Sequence, residues 1–423
     1  MNSTTFLLVF ACVLSLSIAS RVIELSDRFL DIRRDGQWLI MFYAPWCAHC
    51  KRLEPIWAHV AQALTNTNVR VGKVDCTRFS SLATEFKVNG FPTIMFMKGD
   101  AEFTYNGDRT KEEIMKFALR VSGPPVQSIQ RPESLDNLKG TQDHFFVYVG
   151  TQTGPLWEAY FDVAEKFQPH AFFYATSPNI AKMHVKIDDT PAIFVYKDNS
   201  HFFFQEITTT EALNTSIADW INRERFTQFP KVTRGNLNQL MKTGKYLVLA
   251  VVEENKLEEV PAQMLEFKDM VESVIVKHRT KYHRHFQFGW VAQPDLANSI
   301  AMQKLPLPSL MIVNSTTNHH HFPDDDPAQL TAEAIVMFLE QTLSQSLPIY
   351  GGNSWPVRVY RAYFEMITAA SDMWKGNPVL TTVLFGLPFG FLCLICYSIC
   401  CADIMDADEE EEEEEEPLHE KRE

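Results

Sequence analysis

Short continuous apolar runs alternate along most of this chain with stretches in which apolar residues recur every three or four positions. The runs predict buried strands and the stretches amphipathic helices. The first cycle gives a strand at Trp38 to Tyr43, a helix from Cys47 to Leu64 and a strand at Val69 to Asp75. A helix at Ser80 to Phe86 follows, then Gly90-Phe91-Pro92-Thr93 entering a strand at Ile94 to Met97. A strand near Glu102 to Tyr105 and a helix from Thr110 to Val121 complete the cycle. Alternating strands and helices predict an α/β fold, a mixed, largely parallel sheet covered on both faces. Gly123-Pro124-Pro125 then breaks the pattern as a linker.

The cycle recurs twice. Pro191-Ala-Ile-Phe-Val-Tyr-Lys197 has the offsets of Pro92-Thr-Ile-Met-Phe-Met-Lys98, followed by a strand from His201 to Gln205 and a helix from about Thr210 to Arg223. Further on, Gly289 precedes Pro308 by nineteen residues, as Gly72 precedes Pro92 by twenty, and Pro308 enters a strand at Leu310 to Val313. A last helix is expected from about Thr331 to Leu343. This spacing fits three tandem copies of one fold. Pro92, Pro191 and Pro308 each precede a buried strand, where a trans proline is an unusual guest, so a cis peptide is expected before each.

The two ends read differently. The first twenty residues are mostly apolar and close on Ala19 and Ser20, a secretory signal peptide with cleavage there, although Lys and Arg are missing from its start. A short buried helix is the alternative. From Pro378 to Cys401 the chain is apolar and uncharged, long enough to span a bilayer as a helix. Together these predict a single-pass type I membrane protein. The tail beyond, 402–423, holds eight consecutive glutamates from Glu409 to Glu416 and predicts a solvated, disordered segment, with a calcium or partner role as the alternative. The chain's net charge of −14 lies mostly in that tail. The rest is close to neutral, and no basic face for nucleic acid is implied.

The length of 423 residues requires more than one core. Of eight cysteines, Cys12 lies in the leader and Cys393, Cys396, Cys400 and Cys401 in or beside the span. Cys47, Cys50 and Cys76 remain, too few for a disulfide scaffold. Cys47-Ala48-His49-Cys50 stands at a strand-to-helix junction, where a pair spaced i, i+3 can open and close a disulfide while helix N–H groups favour a thiolate. Such a pair is also half of a zinc site. A second pair with ligand spacing is missing from the soluble part of the chain, so the redox reading is preferred and no metal is expected. His278, His283, His285 and His319-His320-His321 lack ligand spacing and are expected in solvated loops. Cys76 reads as a buried thiol, or otherwise as half of a regulatory disulfide. Asn214-Thr215-Ser216 and Asn314-Ser315-Thr316 are glycosylation sequons, and Cys400 and Cys401 are palmitoylation candidates at the membrane edge.

The stretch Phe42-Tyr43-Ala44-Pro45-Trp46-Cys47-Ala48-His49-Cys50-Lys51, with Gly90-Phe91-Pro92-Thr93 downstream, resembles the catalytic thioredoxin-like domain of protein disulfide isomerases. One such domain, two copies without the pair, one span and a tail resemble the thioredoxin-related transmembrane branch of that family. The resemblance implies three tandem thioredoxin-like domains: 21–123 catalytic, 124–226 and 227–346 redox-inactive. A juxtamembrane segment at 347–377, a transmembrane helix at 378–401 and an acidic cytosolic tail follow. It implies residence in the endoplasmic-reticulum membrane with the catalytic domain luminal. The clients would be unfolded or partly folded secretory and membrane proteins, with recycling by glutathione or another oxidoreductase and no cofactor.

By the same resemblance Cys47 attacks clients, Cys50 resolves the mixed disulfide, and His49 stabilises the Cys47 thiolate. Trp46, Phe91 and Pro92 position an extended client strand. Arg109 swings toward the resolving cysteine; its plain alternative is a solvated residue at a helix start. The chain departs from the family at Ala48, where glycine is usual, and at Met41, where a buried Glu or Asp normally accepts the resolving thiol's proton. Met41 would leave Lys73 unpartnered, its pKa lowered by burial or its stem reaching out to solvent. The alternative function is a client-binding chaperone or tether whose redox site turns over poorly.

Overall fold

A computed structural model describes residues 22–205, 209–255, 257 and 259–412, with side chains as far as Ile399 apart from those of residues 210 and 328. The expected signal peptide at 1–20, the tail beyond Glu412, and the side chains of Cys400 and Cys401 lie outside the described residues. The chain forms two compact units, one running to Leu296 and including Pro306–Ile349, the other formed by Ala297–Leu305 and the chain from Tyr350 onward.

The first sheet has β1 (Ile23–Leu25), β2 (Gln37–Tyr43), β3 (Val69–Asp75), β4 (Thr93–Lys98) and β5 (Ala101–Tyr105) in the order β1-β3-β2-β4-β5. β1, β3 and β2 are parallel, while β4 and β5 are antiparallel additions. Helices α1 (Phe29–Ile32), α2 (Ala48–Ala63), α3 (Ser80–Glu85) and α4 (Lys111–Ser122) cover it. Leu39 and Met41 of β2 pack with Leu53 and Trp57 of α2 and Phe117 of α4. Trp38, Ile40 and Phe42 pack on the other face with Leu82 and Phe86. Burial on both faces is why β2 is a continuous apolar run rather than an alternating one. Each large side chain so buried contributes about 1.5–3 kcal/mol.

The second sheet repeats this topology with β6 (Gln127–Ile129), β7 (His144–Val149), β8 (Phe173–Thr176), β9 (Ala192–Lys197) and β10 (Ser200–Phe203), ordered β10-β9-β7-β8-β6. Its helices are α5 (Pro132–Thr141), α6 (Pro155–Phe167), α7 (Pro178–Ala181) and α8 (Leu213–Glu224), the last preceded by a 3₁₀ turn at Thr210–Ala212. In the third sheet β11 (Tyr246–Val251) lies between β12 (Phe286–Val291) and β13 (Ser309–Asn314), and β13 pairs with β14 (His319–His321). An isolated parallel bridge between Lys231 and Trp290 stands where β1 stands in the first sheet. Helices α9 (Leu237–Met241), α10 (Ala262–Lys277), α11 (Arg279–Tyr282), α12 (Pro294–Ala301) and α13 (Ala332–Leu343) belong to this part of the chain.

The registers explain the repeat. Ile40 lies opposite Gly72 and Met95, Val147 opposite Tyr174 and Phe194, and Leu249 opposite Gly289 and Met311. Met95, Phe194 and Met311 each follow Pro92, Pro191 or Pro308 by three residues, so the three prolines occupy equivalent places, and all three preceding peptides are cis as expected. A Cβ at Gly72 would meet Leu25 Cδ1 at 2.6 Å, and one at Gly289 would meet Val232, the neighbour arriving along the sheet edge in both cases. The recurring lysine caps a helix. Lys98 Nζ donates to Ser122 O at 3.3 Å and Gly123 O at 2.7 Å at the end of α4. Lys197 Nζ donates to Glu224 O at 3.1 Å and Phe226 O at 3.0 Å at the end of α8. A cation there also meets the negative end of the helix dipole.

In the second unit α14 (Trp355–Gly376) and α15 (Pro378–Glu412) follow one another. The apolar part of α15, Pro378–Ile399, is long and apolar enough to cross a membrane. Disorder was expected from Ala402, yet α15 stays helical through Glu412, because Ala, Met and Glu are strong helix formers. Three of the histidines also depart from expectation, while His285 is exposed in a turn as expected. His320 and His321 are buried in β14, with His321 Nδ1 2.8 Å from Pro348 O, and His283 Nε2 lies 2.5 Å from Glu224 Oε1. Apolar neighbours and specific partners hold them, not a solvated loop.

Candidate active site

β2 ends at Tyr43 and α2 begins at Ala48, which leaves Cys47 as the N-cap of α2. Its backbone is extended, and the Cys50 N–H donates to Cys47 Sγ at 3.1 Å, while Lys51 N–H donates to Cys47 O at 3.1 Å. Sulfur thus takes the place a serine or aspartate oxygen takes in an ordinary cap. Cys47 and Cys50 form a disulfide with their Cα atoms 5.3 Å apart, and both are nearly buried. Opening that bond leaves Cys47 Sγ facing an N–H donor and the positive end of a 16-residue helix, both of which favour a thiolate. Ala48 begins the helix without disturbing this cap.

The loop before β4 closes over the pair. Phe91 O lies 3.7 Å from Cys47 Sγ, and Pro92 is buried behind it. Thr93 Oγ1 donates to Gly90 O at 2.7 Å, and Arg109 Nη2 donates to Pro92 O at 3.1 Å. Arg109 therefore braces the proline loop in the disulfide form, instead of turning to Cys50. Trp46 is 72% exposed and meets the Phe91 ring edge-on at 6.1 Å, an aromatic lip beside the sulfurs. A cleft of about 930 Å³ runs from Phe91 and Pro92 past Arg109 to Arg225, Arg234 and Lys242. His49 is exposed, and its Nδ1 accepts a hydrogen bond from Arg52 Nη2 at 2.9 Å. Arg52 was not singled out from the sequence, although its i, i+3 spacing from His49 is the signal that pairs them.

Met41 is 1% exposed among Leu39, Leu53 and Trp57, and its register partner on β3 is Lys73. Lys73 is not unpartnered as expected. Its Nζ lies 3.1 Å from Glu54 Oε1 and 3.3 Å from Glu24 Oε1, and 5.3 Å from the Tyr43 ring centre. Burial alone would lower the ammonium's pKa, but the Glu54 hydrogen bond, Tyr43 and the neighbouring carboxylates raise it above its ordinary value. The lysine reaches outward to two surface carboxylates, and among the described residues the core of this sheet holds no buried Asp or Glu. Glu24 and Glu54 also went unsingled in the sequence, since one lies on an edge strand and the other on the solvent side of α2.

Cys76 is buried just past β3, its Sγ 3.8 Å from Val74 O, and burial pushes its thiol pKa up to about 11. At pH 8 almost none of it is thiolate. Iodoacetamide applied to the reduced chain is expected to modify Cys47 while leaving Cys76 untouched until denaturant is added, as peptide mass spectrometry will read. Alkylation of Cys76 in the native chain at a rate near that of Cys47 would contradict its buried state. Asn214 is exposed in the first turn of α8, its Nδ2 3.4 Å from Asp162 Oδ2. Asn314 closes β13, its Oδ1 accepting from the Thr316 N–H at 2.9 Å.

Comparison with known proteins extends beyond this site. The thioredoxin family model matches residues 24–120, and a thioredoxin-like domain model matches residues 149–341. Protein disulfide-isomerase TMX3 of Xenopus laevis is 34% identical over 402 residues, covering 93% of this chain and 85% of that protein. Its Homo sapiens counterpart is 35% identical over 382 residues, covering 90% of this chain and 82% of that protein. Likeness on this scale takes in the cysteine-free sheets as well as the cysteine pair. The chain belongs to the protein disulfide-isomerase family, as a membrane-anchored thiol–disulfide oxidoreductase that handles disulfides of client proteins.

Proposed function

We propose that Cys47 is the group that exchanges with clients and Cys50 the group that releases them. In the oxidising direction a client thiolate attacks Cys47 Sγ, the Cys47–Cys50 bond breaks, and Cys50 leaves as a thiolate that takes up a proton. A second client thiolate then attacks the client sulfur of the mixed disulfide and expels Cys47 as a thiolate. The client has lost two electrons and the enzyme has gained them. Run from the reduced enzyme, the Cys47 thiolate opens a wrong client disulfide, and Cys50 or another client thiol closes the cycle. The observation that carries this reading is the Cys50 N–H on Cys47 Sγ at the start of α2, which makes Cys47 both nucleophile and leaving group.

Around that pair His49 stabilises the Cys47 thiolate while Arg52 supplies positive charge, Arg109 holds the Pro92 carbonyl, and Trp46, Phe91 and Pro92 receive an extended client segment. The boundaries 21–123, 124–226 and 227–346 delimit one exchanging domain and two that supply client-binding surface. The chain works in the endoplasmic-reticulum membrane as a type I protein, its cysteine pair luminal and its acidic end cytosolic. Glutathione disulfide or another oxidoreductase reoxidises it. Asn214 and Asn314 are its glycosylation sites, and Cys400 and Cys401 its palmitoylation sites.

Met41 favours slow release. Cys50 must lose a proton to attack the mixed disulfide, and among the described residues of the first sheet and its helices no carboxylate is buried to take it. A chain that holds clients long would behave partly as a chaperone, the second reading. The full chain in detergent, compared with Cys47→Ser plus Cys50→Ser, separates the two. Insulin reduction is expected to fall to the uncatalysed background in the double variant. If the double variant still suppresses client aggregation in full, holding and not exchange is the main activity.

A further inference from the structure

Helix α14 has an unusual surface. It is 22 residues long, and no residue of it is buried. At 3.6 residues per turn, Trp355, Val359, Tyr363, Met366, Ile367 and Trp374 gather on one half of the cylinder. Arg358, Arg361, Glu365, Asp372 and Lys375 gather on the other half. Trp355 is 77% exposed, Met366 62% and Trp374 56%, so the apolar half carries large side chains with nothing over them among the described residues. The polar half has a partner: Ser299 Oγ donates to Glu365 Oε1 at 3.4 Å. A continuous apolar stripe of this size on a water-facing helix is a surface built to be covered.

What lies nearest decides the occupant. One residue, Asn377, separates α14 from α15, whose first 22 residues are the membrane span. That joint is fixed: the Leu380 N–H donates to Asn377 Oδ1 at 3.1 Å, and Thr381 Oγ1 donates to Asn377 O at 2.9 Å. The last turn of α14 is therefore held at the edge of the hydrocarbon. Five charged side chains forbid it from joining the span, whereas Trp and Tyr beside aliphatic residues suit the headgroup boundary. The polar half carries three cations and two anions, so burial of the apolar half, rather than attraction to acidic headgroups, supplies the affinity.

We infer that α14 is an interfacial helix, lying along the bilayer surface at the N-terminal end of the span with its Trp355–Tyr363–Ile367–Trp374 face sunk into the lipid. The test uses the full chain in phosphatidylcholine nanodiscs doped with a phosphatidylcholine that carries a diazirine near its acyl carbonyl. After illumination, mass spectrometry is expected to find lipid adducts on Tyr363, Met366 and Ile367 at least about fivefold more often than on the Arg358 and Arg361 side. Replacing a fifth of the lipid with phosphatidylserine leaves that ratio unchanged. Tyr363→Glu with Ile367→Glu is expected to bring adducts on α14 to background while those on α15 persist. The inference is overturned if adducts appear on α15 alone, or on both halves of α14 equally. It is overturned too if the double variant keeps its α14 adducts, or if the apolar half cross-links to a second copy of the chain or to another protein.

Discussion

Replacing Cys50 by serine turns the chain from a catalyst into a trap. Cys47 keeps its place as the N-cap of α2, with the helix N-terminus beneath its sulfur, so it still attacks client disulfides. Release then falls to thiols outside the chain. The serine hydroxyl cannot displace the client, and Cys76 is buried with its pKa near 11, so no second thiolate stands by to resolve the bond. Insulin reduction is expected to fall at least about 100-fold, since the intramolecular release step is lost and only outside thiols remain to free Cys47. Covalent client is expected to accumulate on Cys47 to near one per chain, visible on a non-reducing gel and absent after Cys47→Ser. Equal client capture by Cys47→Ser would mean that another group attacks.

Met41→Glu is expected to shorten the life of that covalent complex in the chain that keeps both cysteines. The side chain points into the core between β2 and α2, beside Leu39, Leu53 and Trp57, and lies across from Lys73 in register. A carboxylate placed there is desolvated, which raises its pKa toward neutrality and suits it to accept a thiol proton. General-base catalysis is worth roughly 10²- to 10⁴-fold where the base is well placed. An unoptimised position makes about tenfold faster resolution the expected outcome. Lys73 can turn inward to pair with the new group, giving up surface contacts to Glu54 and Glu24 worth at most about 1 kcal/mol each. The buried polar group costs about 1–3 kcal/mol of stability, read by chemical denaturation. Met41→Gln carries a similar stability cost without the base, and its mixed disulfides should last as long as those of the unaltered chain. An unchanged lifetime with Met41→Glu would show that Cys50 already has a proton acceptor.

Much of this was visible in the chain itself, and for physical reasons. β2 and its counterparts are buried on both faces, so each is an unbroken apolar run, and the lysines at 98 and 197 recur because each must cap the closing helix of its own copy. The prolines at 92, 191 and 308 stand out because a strand interior rarely tolerates one. Other features depend on contacts between segments distant in sequence. Lys73 finds Glu24 through a strand pairing and Glu54 through the side of α2, and spacing alone does not show either. Arg109 carries the same charge whether it braces Pro92 O or turns to Cys50; geometry alone separates the two. The buried histidines look like surface residues in the sequence because polar composition marks loops only on average, while His283 is held by Glu224 from another helix.

The central claim is that the pair passes disulfides to clients, and the reduction potential of Cys47–Cys50 tests it most directly. The Cys50 N–H, the α2 dipole and the Arg52–His49 pair all stabilise the reduced form with its thiolate at Cys47, which makes the disulfide more oxidising. Equilibration of the full chain with glutathione redox buffers is expected to give a value near or above about −200 mV, in the range of the disulfide isomerases. A value near or below about −270 mV, where thioredoxin acts as a reductant, would contradict the account.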